Sequence, residues 1–253
     1  WTFDHSGGYT PVAQMMRREG WLAEEFDHNG LRVGLFGLPA LGQRTLPVTA
    51  AYGPNLTLSG MDLLGASEGS EPPAFNAGDM VGLTTRWQVS NPLPALKFSL
   101  RLVDATGRRW ASADYTPLNG LAPTDTWNAD EAAVDRRGLR LPADLPPGPY
   151  DLLLLLYDPA TGAALPDGEP GGHALARIEV TPAVTPPAVE ALAIPTQTAV
   201  SLGEELALLG YGIDPNPARA ASGATLSLWW RVEQTPAAGQ QLDRVDPVQR
   251  SLR

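Results

Sequence analysis

The amino-acid sequence predicts a mainly β protein whose central part is an antiparallel β-sandwich. The 253 residues include 26 glycines and 25 prolines, and these fall between short apolar runs. Several of the runs alternate apolar and polar side chains, as half-buried strands do. Clusters of turn-forming residues separate the runs at short intervals, which is typical of many short strands and not of long helices.

Residues 1–42 differ from the rest and begin with a predicted helix. Thr10 offers a capping hydroxyl and Pro11 has a fixed φ that suits the first helical turn. We expect the helix to end near Gly20 and to carry one apolar face, formed by Val12, Met15 and Met16.

A β-hairpin is predicted directly after the helix. Residues 21–26 and 31–36 flank Asp27-His28-Asn29-Gly30, and Asn-Gly is a strong hairpin signal because both residues tolerate positive φ. A helix and a hairpin of this size need something to pack against. We therefore interpret residues 1–42 as the end of a preceding subdomain.

Residues 43–183 carry the pattern of the β-sandwich. Residues 95–103 alternate cleanly, with Lys97, Ser99 and Arg101 opposite a set of apolar side chains. A run of five leucines at 152–156 predicts a buried strand. Seven or eight short strands with regular turns favour an immunoglobulin-like or fibronectin-like sandwich. The predicted strands are residues 55–64, 80–89, 95–103, 108–115, 134–141, 149–157 and 174–180.

Residues 184–253 predict a linker and an incomplete second sandwich. The segment 181–187 is rich in proline, which favours extended backbone. After it, residues 206–210 resemble residues 56–60, and residues 226–232 resemble residues 83–89, so that Trp230 corresponds to Trp87. The second copy has room for only the first few strands, and half a sandwich leaves an apolar face and strand edges in water.

Charge and composition narrow the classes of function. The formal net charge is −10, which opposes binding to nucleic acids and to anionic lipid surfaces. The absence of cysteine excludes disulfides and thiolate catalysis. No apolar run approaches the ~20 residues of a membrane span, and the start at Trp1, with no signal peptide, predicts an excerpt or a processed product.

Six short segments then occur in an order that resembles a known family. They are residues 60–64, 86–87, 123–127, 134–136, 141–150 and 156–162. Together they look like the soluble C-terminal sandwich of bacterial multi-spanning glycosyltransferases related to the protein O-mannosyltransferase and aminoarabinose-transferase families. The resemblance covers roughly residues 55–165 and again 205–232.

The resemblance implies an extracytoplasmic location in the cell envelope and a tether to the membrane through segments that this sequence lacks. In this family an upstream membrane domain transfers a sugar from a polyprenyl-phosphate carrier, and the sandwich has no assigned catalytic role. None of the family's catalytic residues can be placed on this chain, so we expect it to contain no catalytic residues and to need no cofactor. The expected role is binding of a glycan or acceptor, or capping of the membrane domain.

Candidate sites in the sequence are few. Trp110 and Trp127 lie near predicted strand ends and loops, where an indole can stack on a sugar ring, although tryptophan most often fills a core. The histidines and the group Asp158, Asp167 and Glu169 show neither the ligand spacing of a zinc site nor that of a calcium loop, so no metal site is predicted.

A different class of function stays open at this point. The incomplete second sandwich also suits a structural cell-surface protein, a filament or layer subunit, that assembles when a neighbour's strand completes the sheet. The expected partners are therefore a glycan or another envelope component, or further copies of this chain.

Overall fold

The chain is mainly β, and the prediction of an antiparallel sandwich is confirmed. The computed structural model describes residues 2–4, 10–29, 31–38, 42–165, 171–185, 187–192, 194–204, 206–214 and 224–233. Two compact units are present, residues 1–186 and residues 187–253. The first unit contains helix α1 (Pro11–Glu19) and strands β1 (Thr2–Asp4), β2 (Trp21–His28), β3 (Leu31–Gly37), β4 (Gln43–Leu46), β5 (Ala50–Ala51), β6 (Leu56–Leu64), β7 (Ala74–Asn76), β8 (Met80–Val89), β9 (Lys97–Val103), β10 (Arg109–Tyr115), β11 (Ala132–Arg140), β12 (Gly148–Tyr157) and β13 (His173–Thr181).

Helix α1 begins and ends where the sequence predicts, but a different face is buried. The Thr10 hydroxyl accepts a hydrogen bond from the Ala13 N–H at 3.2 Å, as an N-cap does. Ala13 and Arg17 are the buried side chains, whereas Val12 and Met15 are 60% and 56% exposed. The predicted apolar face is therefore not the packed one. The buried guanidinium of Arg17 explains this difference, because its polar contacts fix the rotation of α1 about the helix axis.

The predicted hairpin is confirmed in β2 and β3. Asn29 lies in the turn with φ of 53°, the left-handed conformation that a two-residue hairpin loop requires. A strand that was not predicted, β1, pairs with the other side of β3, which gives a three-stranded antiparallel sheet.

The N-terminal sheet packs, through β2, on the outer face of one sheet of the sandwich. The Trp21 indole is buried there and donates from Nε1 to the Thr84 hydroxyl at 3.1 Å. Gly138 of β11 lies against the β2 backbone, where an added Cβ would stand 2.9 Å from the Trp21 carbonyl oxygen and from the Ala23 nitrogen. These residues thus find their packing partner inside the first unit.

Two sheets form the sandwich itself. One has the order β11-β8-β6-β4, with β5 also pairing with β6. The other has the order β10-β9-β12-β13-β7. Pairing is antiparallel throughout both sheets except where β7 runs parallel to β13. Because the chain crosses between the sheets after β6, β7, β8, β10 and β11, most of the contacts that close the core join residues far apart in sequence.

A continuous apolar core fills the space between the two sheets. Trp87 lies at its centre, wholly buried, with its ring centroid 5.2 Å from the ring of Tyr52 and 5.2 Å from the ring of Phe98. The alternation of β9 is confirmed, since Leu100 and Leu102 are also fully buried. The five-leucine run is confirmed as a strand of this core, β12.

A side-chain hydrogen bond fixes the corner that leads into β12. The Tyr150 hydroxyl donates to the carbonyl oxygen of Pro146, four residues earlier, at 2.8 Å. Burial raises the pKa of Tyr150 to about 12, so the hydroxyl keeps its proton and remains a donor well into the alkaline range. This bond ties the end of the preceding loop to the start of the strand.

The second unit contains one three-stranded antiparallel sheet in its described residues. Its strands are β14 (Thr196–Leu202), β15 (Leu206–Asp214) and β16 (Thr225–Val232), in that order across the sheet. The pairing of β15 with β16 repeats the pairing of β6 with β8. Leu208 faces Trp230 as Leu58 faces Trp87, and in both pairs the register shifts at the next residue of the first strand. The repeat seen in the sequence is therefore present in strand register as well.

Candidate binding surfaces

Trp110 lies on β10, the edge strand of its sheet, at a β-bulge. Arg109 faces Val103 and Ala111 faces Leu102, so Trp110 is the extra residue that the pairing skips. Bulges at sheet edges re-aim side chains. The half-buried Trp110 side chain packs against the hydrophobic core, with its ring edge to face with Tyr150, whose ring centroid is 6.3 Å away.

The turn between β9 and β10 holds the Trp110 ring in place. Asp104 accepts hydrogen bonds from the Trp110 indole at 2.8 Å and from the Thr106 hydroxyl at 2.6 Å. Burial raises the pKa of Asp104, but these bonds and those from the Thr106 and Arg108 N–H groups outweigh it, so the net pKa lies below the ordinary value. The Arg108 guanidinium covers one face of the indole, 4.1 Å from its centroid. One side of the ring is thus already occupied.

Trp127 is part of the core. Its side chain is only 9% exposed, and its ring lies 6.3 Å from Trp87 and 6.2 Å from Phe98. Its indole nitrogen donates to the Ala122 carbonyl oxygen at 3.1 Å. The two predicted tryptophans are therefore not brought together, and Trp127 has no open ring face for a ligand. Of the pair, Trp110 stays a candidate.

A surface that the sequence did not single out lies on the outside of the β10-β9-β12 sheet. Lys97 and Arg101 of β9 alternate with buried core residues and so point outward. Strand pairing places Tyr157 of β12 opposite Lys97, and Asp114 of β10 opposite Ser99, which lies between the two basic residues. We call the outward set of Lys97, Arg101, Asp114 and Tyr157 the polar sheet face.

Hydrogen bonds organise the polar sheet face. Burial raises the pKa of the Tyr157 hydroxyl, and the negative charge of the nearby Asp114 carboxylate raises it further. Arg101 donates from Nε to the Ser99 hydroxyl at 3.0 Å, and Lys97 donates to the Thr116 hydroxyl at 2.7 Å. The result is one aromatic ring among a carboxylate, a guanidinium and an ammonium, groups that can donate to and accept from a polyhydroxylated ligand.

The alternation of β9 was a sequence signal for part of the polar sheet face. It placed Lys97, Ser99 and Arg101 together on the side away from the core. What it could not supply were the neighbours, because Asp114 and Tyr157 reach this face only through the pairing of β9 with both β10 and β12.

A second group of titratable residues is buried, and its contacts are those of a structural cluster. Asp135 accepts hydrogen bonds from the Tyr115 hydroxyl at 2.9 Å and from the Leu118 N–H at 2.6 Å. Burial raises the pKa of Asp135, although both bonds oppose this shift. Next to it, Asn119 has φ of 55°, accepts from Arg17 through its carbonyl oxygen and donates to the Arg17 carbonyl oxygen at 2.9 Å. The cluster attaches the N-terminal helix to the sandwich.

The histidines and carboxylates that were weighed as metal ligands, without a site being predicted, lie only in part among the described residues. His5, Asp167 and Glu169 lie outside the described residues. His173 packs edge to face with Tyr52, with ring centroids 6.1 Å apart, and Asp158 accepts from the Ala160 N–H at 2.7 Å in a turn. In the part of the chain that the structure describes, no three His, Asp or Glu side chains converge as metal ligands. Nor is any described helix long and apolar enough to cross a membrane.

Comparison with known proteins identifies no relative by sequence: neither a family model nor a curated protein matches. Solved structures with some likeness include a Niemann-Pick type C2 protein from the Japanese carpenter ant, with 4% identity, a TM-score of 0.35, and coverage of 49% of this chain and 91% of that one. The C-terminal domain of Wzt has 10% identity, a TM-score of 0.38, and coverage of 58% and 81%. A family 123 glycoside hydrolase from Clostridium perfringens has 10% identity, a TM-score of 0.30, and coverage of 49% and 25%. At these TM-scores the likenesses assign neither a family nor a ligand to this chain.

Proposed function

We propose that this chain is a non-catalytic, extracytoplasmic β-sandwich region of a membrane-bound, glycosyltransferase-like envelope protein, and that it binds glycan on the polar sheet face. The observation that carries the proposal is the partly exposed Tyr157 ring, which the strand pairing sets beside Lys97 and near Asp114 on the outward face of the sheet. An aromatic ring offers an apolar face to the C–H side of a sugar, and the surrounding charges bind its hydroxyl groups.

The strand order supports the immunoglobulin or fibronectin type within this proposal. The β11-β8-β6 sheet packs against the β10-β9-β12-β13 sheet, with crossovers between the two sheets, as in sandwiches of that type. The Tyr150 bond to the Pro146 carbonyl lies at the start of a strand that enters the core, where such sandwiches carry a tyrosine corner.

The sequence resemblance supports the glycosyltransferase-like parent. Its six segments lie in the sandwich: in β6, in β8, in the loop before β11, in β11, across the β11–β12 corner, and at the end of β12 with its turn. They are thus placed together in one folded region and include the core residues Trp87 and Trp127.

Glycan binding is tested by titrating the chain with mannose-containing and aminoarabinose-containing oligosaccharides in a calorimeter. We expect a dissociation constant on the order of 0.1–1 mM, and we expect Tyr157→Ala to raise it at least about tenfold. Tyr157→Phe is the matched control, because it keeps the ring and should retain most of the affinity.

Two outcomes would contradict the assignment. If Tyr157→Ala binds as the wild type does while Trp110→Ala loses binding, the site is the bulged tryptophan and not the polar sheet face. If the wild-type chain binds none of these sugars at millimolar concentration, glycan binding by this region is wrong.

The second candidate function is a structural surface protein assembled from sandwich repeats. A specific observation favours it: several large apolar side chains of the second unit's sheet are exposed, although the corresponding face of the first repeat is covered.

A further inference from the structure

The exposed apolar side chains of the second unit lie on one face of its sheet. Strand pairing sets alternate residues of β16 beside alternate residues of β15, and their side chains are between 37% and 59% exposed. We call this set the apolar sheet face; it consists of Val200, Tyr211, Ile213, Leu226, Leu228, Trp230 and Val232.

The first repeat shows what normally covers such a face. Trp87 and Leu58, which correspond in register to Trp230 and Leu208, are completely buried because the β10-β9-β12-β13-β7 sheet packs over them. Trp230 is 43% exposed in the equivalent position. A sheet with one apolar face needs a second layer to bury it. The first repeat shows that another sheet supplies this layer.

The size of the apolar sheet face is sufficient for an interface. Seven large side chains, each about half exposed, leave on the order of 600 Å² of apolar surface, the upper end of what a monomer shows. Two such faces packed together would bury on the order of 1,200 Å², which reaches the range of specific interfaces.

The charges of the second unit permit two copies to approach each other. Its charged strand residues, Asp214 and Arg231, fall on the opposite side of the pleat, so the apolar sheet face carries no charge among its described residues. Residues 187–253 contain seven acidic and five basic residues, a net −2, so most of the chain's −10 lies in the first unit. Packing of two such faces therefore desolvates no ion, and the repulsion between the two second units is small.

We infer that a second copy of this chain covers the apolar sheet face, with two three-stranded sheets packed face to face about a twofold axis. The partner must present an uncharged, apolar sheet surface, and this face is itself such a surface, with seven exposed large apolar side chains. A twofold rotation places one face on its own copy and closes the assembly at two chains. This inference does not rest on glycan binding, which uses the first unit.

Sedimentation equilibrium of the 253-residue chain from about 1 to 200 µM tests the inference. We expect a reversible dimer of twice the 26.9-kDa chain mass, with a dissociation constant on the order of 1–50 µM. Leu228→Glu places a charge in the centre of the interface, and we expect it to raise that constant at least about thirtyfold. Val12→Glu, at an exposed apolar site on α1 in the first unit (60% exposed against 46% for Leu228), is the control and should dimerise like the wild type.

A fluorescence measurement keeps the test decisive if Leu228→Glu fails to fold. On dilution through the dissociation constant, the tryptophan emission of the wild type should shift to the red as Trp230 returns to water. Trp230→Phe should lack this shift. A wild-type chain that stays monomeric up to 200 µM, a Leu228→Glu chain that dimerises like the wild type, or a series of higher oligomers would each overturn the inference. Glycan titration of the same samples reports on the other proposal separately.

Discussion

Replacing Trp87 by Ala is expected to lower the free energy of unfolding of the first unit by about 3–5 kcal/mol. The side chain is fully buried and contacts the rings of Tyr52, Phe98 and Trp127, so its removal leaves a large cavity between the two sheets. It also removes the indole donor to the Thr85 hydroxyl, which is 2.8 Å away. Urea denaturation followed by circular dichroism measures the change.

The repeat supplies the matched control for this substitution. Trp230 occupies the equivalent register position but is 43% exposed, so at protein concentrations below the dimer range Trp230→Ala should cost less than about 1 kcal/mol. Equal losses for the two substitutions would show that the sheet of the second unit is covered within the monomer, which would contradict the exposure of Trp230.

Gly138→Ala is expected to destabilise the first unit by about 1–3 kcal/mol, although it adds a single methyl group. The new Cβ would stand 2.9 Å from the Trp21 carbonyl oxygen and the Ala23 nitrogen, and both of these are backbone atoms of β2. Because neither atom can rotate away, β2 has to move off the sheet. Urea denaturation gives the cost, and hydrogen exchange should show faster exchange in β2 and β3.

Gly42→Ala is the control, since nothing lies within 4 Å of the position of its added Cβ. We expect it to leave the denaturation midpoint unchanged. If Gly138→Ala also left the denaturation midpoint unchanged, close packing of the N-terminal sheet on β11 would be wrong.

The sequence best predicted the features that depend on residues close together in the chain. Strand β8 has the predicted bounds, residues 80–89, and β9 buries the predicted alternate side chains, because a period of two follows directly from which side faces the core. The start of helix α1 at Thr10-Pro11 and the hairpin turn at Asn29 were equally predictable, since each depends on backbone preferences of neighbouring residues.

Features that depend on distant partners were not predictable in the same way. Strands β4, β5 and β7 have two to four residues each and exist through their pairing with β6 or β13. The rotation of α1 about its axis follows from Arg17. Both the carbonyl oxygen and the guanidinium group of Arg17 form hydrogen bonds with Asn119, about a hundred residues away. No local pattern contains that information.

The candidate sites show the same division. Trp127 was proposed as a platform because it lies in a loop region, but the loop folds inward and its ring joins the core. The direction of the Trp110 side chain depends on a β-bulge, which is a property of the pairing between β9 and β10. Tyr157 and Asp114 are 43 residues apart in sequence and meet because both flank β9.

Native-state hydrogen exchange of the intact chain tests the central claim most directly, namely that residues 43–183 close two sheets over one shared core. Strands β8 and β12 belong to different sheets, yet both place their buried side chains in that core. We predict that their amides exchange slowest of all and with free energies of opening within about 1 kcal/mol of each other, because one cooperative unit opens both. Opening free energies for β8 and β12 that differ by more than about 3 kcal/mol would contradict a single two-layer sandwich.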